Sequence, residues 1–263
     1  MSKNLIFLVT SSASFALVLA ANYLSNTDII GEKSVGEVSQ MYPTLITPAG
    51  YAFSIWGIIY LFQAAFVAFL WYEWLKKGRD STLKKSWGWF TLANLANALW
   101  VILWVNDFPG LSVILMLLLL FSLLSIVVKL NMEKWDAPLS TLAFVWWPFS
   151  IYTGWIILAT VVNVSAFLVS IGWEGGMLSP SIWAIVLIAI STIIYVLFIY
   201  YRNMREAALV GAWGLVAIAV RQQSSAVSAS ALTCAAILFL YAAYQGYLNR
   251  ETSPFKKFLR KEF

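Results

Sequence analysis

Long apolar runs separated by short polar segments constrain this chain more than any other feature of its sequence. Of its 263 residues, 61% are hydrophobic and 11% are charged, and the mean hydropathy is +0.80. A helix of about 20 apolar residues is long enough to cross a bilayer, and a helix satisfies its backbone hydrogen bonds within the segment. The sequence therefore predicts an all-α, polytopic helical membrane protein that is embedded in the lipid bilayer.

The apolar runs predict eight membrane spans. They cover about residues 5–24, 50–75, 86–106, 111–130, 140–169, 181–201, 207–222 and 229–248. The first begins like a signal peptide, but it lacks a clear small-x-small cleavage site before a polar start, so we expect it to be retained. The seventh is the weakest, because its apolar core is short for a bilayer crossing.

The distribution of Lys and Arg predicts the orientation of these spans. Short cytoplasmic loops carry an excess of both residues. Of the 17 Lys and Arg residues, all but Lys33 and Arg221 lie in segments on the same side of the membrane as the N-terminus. We therefore expect a multi-pass protein of the cell (inner) membrane with both termini cytoplasmic. The basic residues sit in separate short loops, which argues against a nucleic-acid partner.

The predicted spans divide into three regions. Residues 1–169 form a five-helix transmembrane bundle with a lid loop at 25–47, residues 170–250 add three transmembrane helices, and residues 251–263 form a basic cytoplasmic tail. We find no internal repeat of the kind that many secondary carriers show.

The residue types that are missing narrow the chemistry. The chain has no His and one Cys, Cys234, so we predict neither a metal site nor an intramolecular disulfide. The acidic residues lie in loops or at helix ends, as Glu73 does. Ion-coupled transport and general acid–base catalysis are therefore disfavoured. We predict no catalytic residues, and the sequence leans against an enzyme without excluding one.

Three predicted spans carry polar and aromatic residues at helical spacing. In the fifth span one face holds Pro148, Tyr152, Trp155, Ala159 and Asn163. The amide of Asn163 would be unpaired against lipid, so this face should turn inward. The second and third spans carry similar faces, which are Phe53, Trp56, Tyr60 and Gln63 in one and Asn94, Asn97, Trp100 and Trp104 in the other.

These faces meet at one depth beneath the lid loop, which predicts a pocket. Taken singly, each residue also has a structural interpretation. Trp and Tyr anchor helices at membrane interfaces, and Asn bonds neighbouring helices.

At these residues the chain resembles the TspO/MBR family, the tryptophan-rich sensory or translocator proteins. The fifth-helix pattern of that family, Tyr-x-x-Trp followed by Ala-Thr-x-x-Asn, is matched from Tyr152 to Asn163. The Asn-x-x-Trp of the third helix is matched by Asn97 and Trp100. Pro48, Trp56 and Tyr60 match its second helix. The resemblance covers about residues 5–168, and the three later spans have no counterpart in compact five-helix members.

The chain also departs from the family pattern. Only Pro48 stands where two adjacent Pro are common, Ile102 replaces a Pro after the third-helix Trp, and Ile151 replaces the Pro before Tyr152. No Lys or Arg occurs between residues 135 and 201, so the sterol-recognition pattern of the family is missing there. We therefore do not expect sterol binding.

The resemblance implies a receptor-like protein that binds a flat hydrophobic ligand, in particular a tetrapyrrole such as porphyrin or haem, as a sensor or scavenger. The alternatives are an energy-independent transporter of lipophilic molecules and a porphyrin-degrading enzyme. No cofactor is required, and a homodimer is usual in the family. The predicted ligand-binding residues are Pro48, Tyr51, Phe53, Trp56, Tyr60, Asn97, Trp100, Trp104, Tyr152, Trp155, Ala159 and Asn163.

Overall fold

The computed structural model describes residues 3–27, 29–173 and 175–262, and the regular structure in these ranges is entirely helical. The first half contains α1 (Lys3–Leu24), α2 (Val35–Met41), a 3₁₀ turn (Gly50–Ser54) that leads into α3 (Ile55–Lys77), α4 (Ser81–Val105) and α5 (Pro109–Lys129). The second half contains α6 (Leu139–Thr141), which continues through a π-helical turn (Leu142–Trp146) into α7 (Trp147–Ser170), then α8 (Pro180–Arg202), α9 (Arg205–Arg221), α10 (Ser225–Leu248), a 3₁₀ turn (Arg250–Thr252) and α11 (Pro254–Leu259). The predicted all-α class is confirmed.

Within the described ranges, seven helical segments are long and apolar enough to cross a membrane, namely α1, α3, α4, α5, α6–α7, α8 and α10. The difference from the eight predicted spans is α9, which is a helix of 17 residues. It packs between α7, α8 and α10, and most of its Ala, Gly and aliphatic residues are buried. Because three helices cover most of α9, it needs less apolar length than a helix that faces lipid on all sides.

The long helices alternate in direction and define two ends of the molecule. One end, here called the lid face, carries the lid loop and the connections at 106–108, 171–179 and 222–224. The other end, here called the basic face, carries the connections at 78–80, 130–138 and 203–204 together with α11. The lid loop is partly helical, because a capping box between Ser34 and Glu37 begins α2.

The five predicted helices of the first region pack around one core. In this core α4 lies against α1 and α5, and α7 lies against α3 and α5. Phe66 is at its centre, with its ring 4.7 Å from that of Phe149 and 5.1 Å from that of Phe90 in edge-to-face contacts. Such pairs add about 0.5–1.5 kcal/mol to the burial of the rings.

The last three long helices form a second core on the opposite side of α7. The backbones of α7 and α9 approach so closely at Gly154 that a Cβ atom there would lie 2.5 Å from the carbonyl oxygen of Ala207. The Tyr195 hydroxyl of α8 donates a hydrogen bond of 2.6 Å to the Gly154 carbonyl oxygen. Small residues allow this kind of approach between membrane helices, so α7 is shared by both cores.

We predict that Gly154→Ala destabilises the protein by about 1–3 kcal/mol, because the clashing atoms belong to the α9 backbone and cannot move alone. The measurement is the free energy of unfolding of the detergent-solubilised protein. Gly57→Ala is the matched control, since a Cβ atom at this helical glycine meets nothing within 4 Å. It should be neutral or more stable by up to about 1 kcal/mol. Equal stabilities of the two variants would contradict the close α7–α9 contact.

Candidate functional site

An aromatic cavity lies near the lid face between α3, α4 and α7, beneath the lid loop. Eight of the twelve predicted ligand-binding residues line it, namely Pro48, Phe53, Trp56, Trp100, Trp104, Trp155, Ala159 and Asn163. The structure thus brings the three predicted inward faces together at one depth. No charged side chain is among the described lining residues.

Trp56 stands at the centre of the aromatic wall. Its ring centroid lies 5.9 Å from that of Trp100 and 6.4 Å from that of Trp155. The Trp100 and Trp104 rings are stacked 6.0 Å apart with an interplanar angle of 15°. Phe53 meets Trp155 edge-on at 6.0 Å. The wall therefore offers both ring faces and ring edges to whatever occupies the cavity.

The four indole N–H groups of the cavity divide into two pairs. Trp100 Nε1 donates to Asn163 Oδ1 at 2.9 Å, and Trp104 Nε1 donates to the Val35 carbonyl oxygen at 3.0 Å. Trp56 Nε1 and Trp155 Nε1 are buried without a hydrogen-bond partner among the described residues. Leaving a buried donor unpaired costs about 1–3 kcal/mol. These two groups are therefore suited to an acceptor on a bound ligand.

Asn163 fixes the position of part of the wall. Its Oδ1 accepts from Trp100, and its Nδ2 donates to Ser112 Oγ of α5 at 2.9 Å. The Asn163 side chain is 3% exposed. Both the oxygen and the nitrogen of the Asn163 amide are hydrogen-bonded, so this side chain connects α4, α5 and α7 around the cavity.

Three predicted site residues lie next to the cavity but outside its lining. Asn97 Nδ2 donates to the Tyr152 hydroxyl at 2.7 Å and to the Tyr60 hydroxyl at 3.4 Å. The Tyr60 ring stacks against Trp56 at 5.6 Å. This network supports the Trp56 ring from the side toward the basic face. It gives these residues a positioning role in the observed conformation.

The fourth predicted residue outside the lining, Tyr51, points away from the cavity. Its ring is 41% exposed and meets the edge of Trp213 in α9 at 5.0 Å. Tyr51, which was predicted to bind the ligand, belongs to the 3₁₀ turn at Gly50–Ser54 and lies against α9 in this structure.

Two polar residues of the predicted inward faces serve helix packing. Gln63 Nε2 donates to the Pro148 carbonyl oxygen at 3.0 Å, and Asn94 Nδ2 donates to Ser14 Oγ at 3.2 Å. Each amide therefore bonds a neighbouring helix at a level below the cavity, as the structural interpretation of these residues predicts.

Four lining residues were not predicted, and they are Val35, Ser39, Leu158 and Val162. The first two belong to α2 in the lid loop. The Ser-x-x-Glu spacing of Ser34 and Glu37 is a capping-box signal that predicts this short helix. Leu158 and Val162 precede Ala159 and Asn163 on α7, so the cavity is wider than one strict helical face.

The lid loop closes this cavity. The space open to the centre of a water molecule is only about 30 Å³. Besides the bond from Trp104 to Val35, the Tyr42 hydroxyl donates a hydrogen bond to the Asp107 carboxylate at the end of α4. This bond, reinforced by partial burial, raises the pKa of Tyr42, so the phenol remains a donor at neutral pH. The structure therefore shows a closed state of the pocket.

Helix α9 holds the segment that joins the lid loop to α3. The Ala49 amide donates to the Ala217 carbonyl oxygen at 2.9 Å. Gln222 Nε2 donates to the carbonyl oxygens of Thr47 at 3.3 Å and Thr44 at 3.4 Å. A helix beyond the five-helix bundle thus forms part of the closure.

We predict that Gln222→Leu loosens the lid loop, because each lost hydrogen bond contributes about 0.5–1.5 kcal/mol and amide exchange follows the free energy of local opening. Backbone amides at 44–49 should exchange with deuterium about two- to tenfold faster than in the unmodified protein. Gln223→Leu is the matched control, since Gln223 is the exposed neighbour. Equal exchange in the two variants would show that Gln222 does not hold the lid loop.

The geometry agrees with the comparison to known families. No curated protein and no solved structure matches the chain significantly. The family model described as TSPO-like protein matches residues 8–244. The match extends well past the predicted limit of the resemblance at about residue 168 and includes most of α10. The five-helix bundle and the three later helices are thus covered by one family model, and the chain belongs to the TSPO-like protein family as a multi-pass membrane protein.

Proposed function

We propose that the aromatic cavity binds a flat hydrophobic ligand of the tetrapyrrole class, porphyrin or haem, and that the protein acts as a sensor or scavenger of this ligand. The observation that carries the proposal is a pair of buried indole N–H groups, Trp56 Nε1 and Trp155 Nε1, that have no partner among the described residues and lie within a cluster of Trp rings. The family membership of the chain supports it.

A tetrapyrrole suits the chemistry of this wall. It is a large apolar disc with hydrogen-bond acceptors at its carboxylate edge, and aromatic faces stack well on such a disc. The indole groups of Trp56 and Trp155 supply donors for the acceptors. No His, Cys or Met is among the described lining residues, so shape and stacking would hold the ligand, without a protein ligand to a haem iron.

Binding requires the pocket to open. Ligand pockets typically measure about 300–1,000 Å³, far more than the roughly 30 Å³ now open between the rings. The parts that would have to move are the lid loop, with its hydrogen bonds to Trp104, Asp107 and Gln222, and the ring of Phe53. The buried network of Asn97, Tyr152 and Asn163 would keep the α4 and α7 walls in place. Ligand binding would therefore open the lid loop by induced fit.

We predict saturable quenching of the intrinsic Trp fluorescence by protoporphyrin IX in the detergent-purified protein. Trp155→Phe keeps an aromatic ring but removes the indole N–H, and should weaken binding by about three- to tenfold, the value of one hydrogen bond. Trp155→Ala and Asn163→Ala should each weaken it at least several-fold, because the first removes a stacking face and the second frees the Trp100 ring.

The control for removing a fluorophore is Trp173→Phe. Trp173 is 41% exposed in the connection after α7 and meets Trp183 rather than the cavity. This variant should bind protoporphyrin IX with unchanged affinity. Linear, non-saturable quenching of the unmodified protein would contradict tetrapyrrole binding. Unchanged affinity in both Trp155→Ala and Asn163→Ala would move the site away from this cavity.

A further inference from the structure

A second cavity lies at the basic face, at the junction of the two helical cores. Its space open to the centre of a water molecule is about 270 Å³, which is much larger than that of the closed aromatic cavity. The connection at 130–138, the start of α9 and the segment at 249–257 enclose it. Its lining residues include Glu133, Trp135, Trp146, Trp147, Arg205 and Glu206.

Two carboxylates of this cavity, those of Glu133 and Glu206, are not partners of the buried Lys257. Lys257 is 3% exposed and pairs with the Asp136 carboxylate and, at 3.5 Å, with Glu262. This pairing leaves Glu133 and Glu206 in the lining with two cations, Arg205 and Lys134, of which Lys134 is exposed. Glu206 was expected in a loop, but it lies in the first turn of α9. The charges of these four groups balance when all are ionised. Water screens the exposed Lys134, so Arg205 is the main cation acting on the two carboxylates.

Polar atoms in this wall lack partners. Glu206 Oε2 and Arg205 Nε are both buried without a hydrogen bond to any described residue. The Trp147 indole hydrogen-bonds the Glu206 carboxylate, so it fixes the carboxylate while Oε2 stays free. A buried carboxylate oxygen without a donor is costly, and a charged donor satisfies it better than a neutral one.

Aromatic rings complete the wall. Trp135 and Trp146 meet at right angles with their centroids 5.5 Å apart, and Trp147 lies beside Glu206. Carboxylates beside Trp rings suit an organic cation, because the ring faces attract positive charge and the carboxylates neutralise it. A metal ion fits less well, since no group of three or more His, Cys, Asp or Glu residues gathers within the described ranges.

From this arrangement we propose that the cavity at the basic face binds a small primary alkylammonium, with its N–H groups on Glu206 and Glu133 and its alkyl part against the Trp rings. This site is separate from the aromatic cavity, and it stands whether or not the aromatic cavity binds a tetrapyrrole.

The protonation state of Glu133 gives the proposal a pH dependence. Burial first, and the charge of Glu206 second, raise the pKa of Glu133 to about 8. A bound ammonium favours the ionised carboxylate, so binding displaces a proton from Glu133 below pH 8. Affinity should therefore rise as the pH rises through about 8 and then level off. The other charged groups around Glu133 are Lys134 and Asp136 of its own segment, Arg202 of α8, Arg205 and Glu206 of α9, and Lys257 of α11.

The test is isothermal titration calorimetry of the full chain in detergent with n-butylammonium chloride, beside sodium butyrate, which has the same alkyl chain and the opposite charge. We expect saturable heat with n-butylammonium and none with butyrate. Glu206→Gln should weaken n-butylammonium binding by about tenfold or more, because a charge-assisted hydrogen bond is lost. Glu133→Gln should weaken it and remove the pH dependence.

Glu251→Gln is the matched control. Its carboxylate lies at the same face but is 61% exposed and pairs with Arg260 and Lys256, so binding should be unchanged. Thermal unfolding of each variant shows whether it is folded. If Glu206→Gln does not fold, Glu133→Gln still tests the site. The proposal is overturned if n-butylammonium gives no saturable heat, if butyrate binds instead, or if both cavity variants bind like Glu251→Gln.

Discussion

The contact between α7 and α9 at Gly154 and Ala207 is the interaction on which the rest of the arrangement depends. In a bilayer the helices gain little from burying apolar surface against each other, so close packing and hydrogen bonds must hold them. Because Gly154 has no side chain, the two backbones can touch. The Tyr195 hydroxyl donates a hydrogen bond to the Gly154 carbonyl oxygen. One side of α7 is thereby free to form the aromatic wall, while the other side anchors three further helices.

Helix α9 connects features at both faces of the molecule. At 17 residues it is about 26 Å long, and its two ends meet different sites. Arg205 and Glu206 line the cavity at the basic face, whereas Ala217 and Gln222 hold the segment that closes the aromatic cavity. Helix α9, one of the three later helices, is therefore part of the closure of the pocket.

Helical periodicity predicted most of the fold and the central part of the candidate site. Trp56, Trp100, Trp155 and Asn163 share one cavity because residues at steps of three and four lie on one face, and the depth of each face follows from the topology. The seventh predicted span, 207–222, coincides with α9. It was the weakest of the eight because the sequence does not show that neighbouring helices cover most of this short helix. The closed lid, the position of Tyr51 against α9 and the burial of Glu206 Oε2 also depend on contacts between residues far apart in the chain.

The central claim is that the aromatic cavity is a closed ligand site that opens at the lid face. The most direct measurement is an experimental structure of the full chain in lipid nanodiscs saturated with protoporphyrin IX. We expect the tetrapyrrole between Trp56, Trp104 and Trp155, with residues 31–49 displaced from their present contacts and the α7–α9 contact unchanged. A tetrapyrrole bound elsewhere, or an occupied cavity beneath an unmoved lid loop, would contradict it.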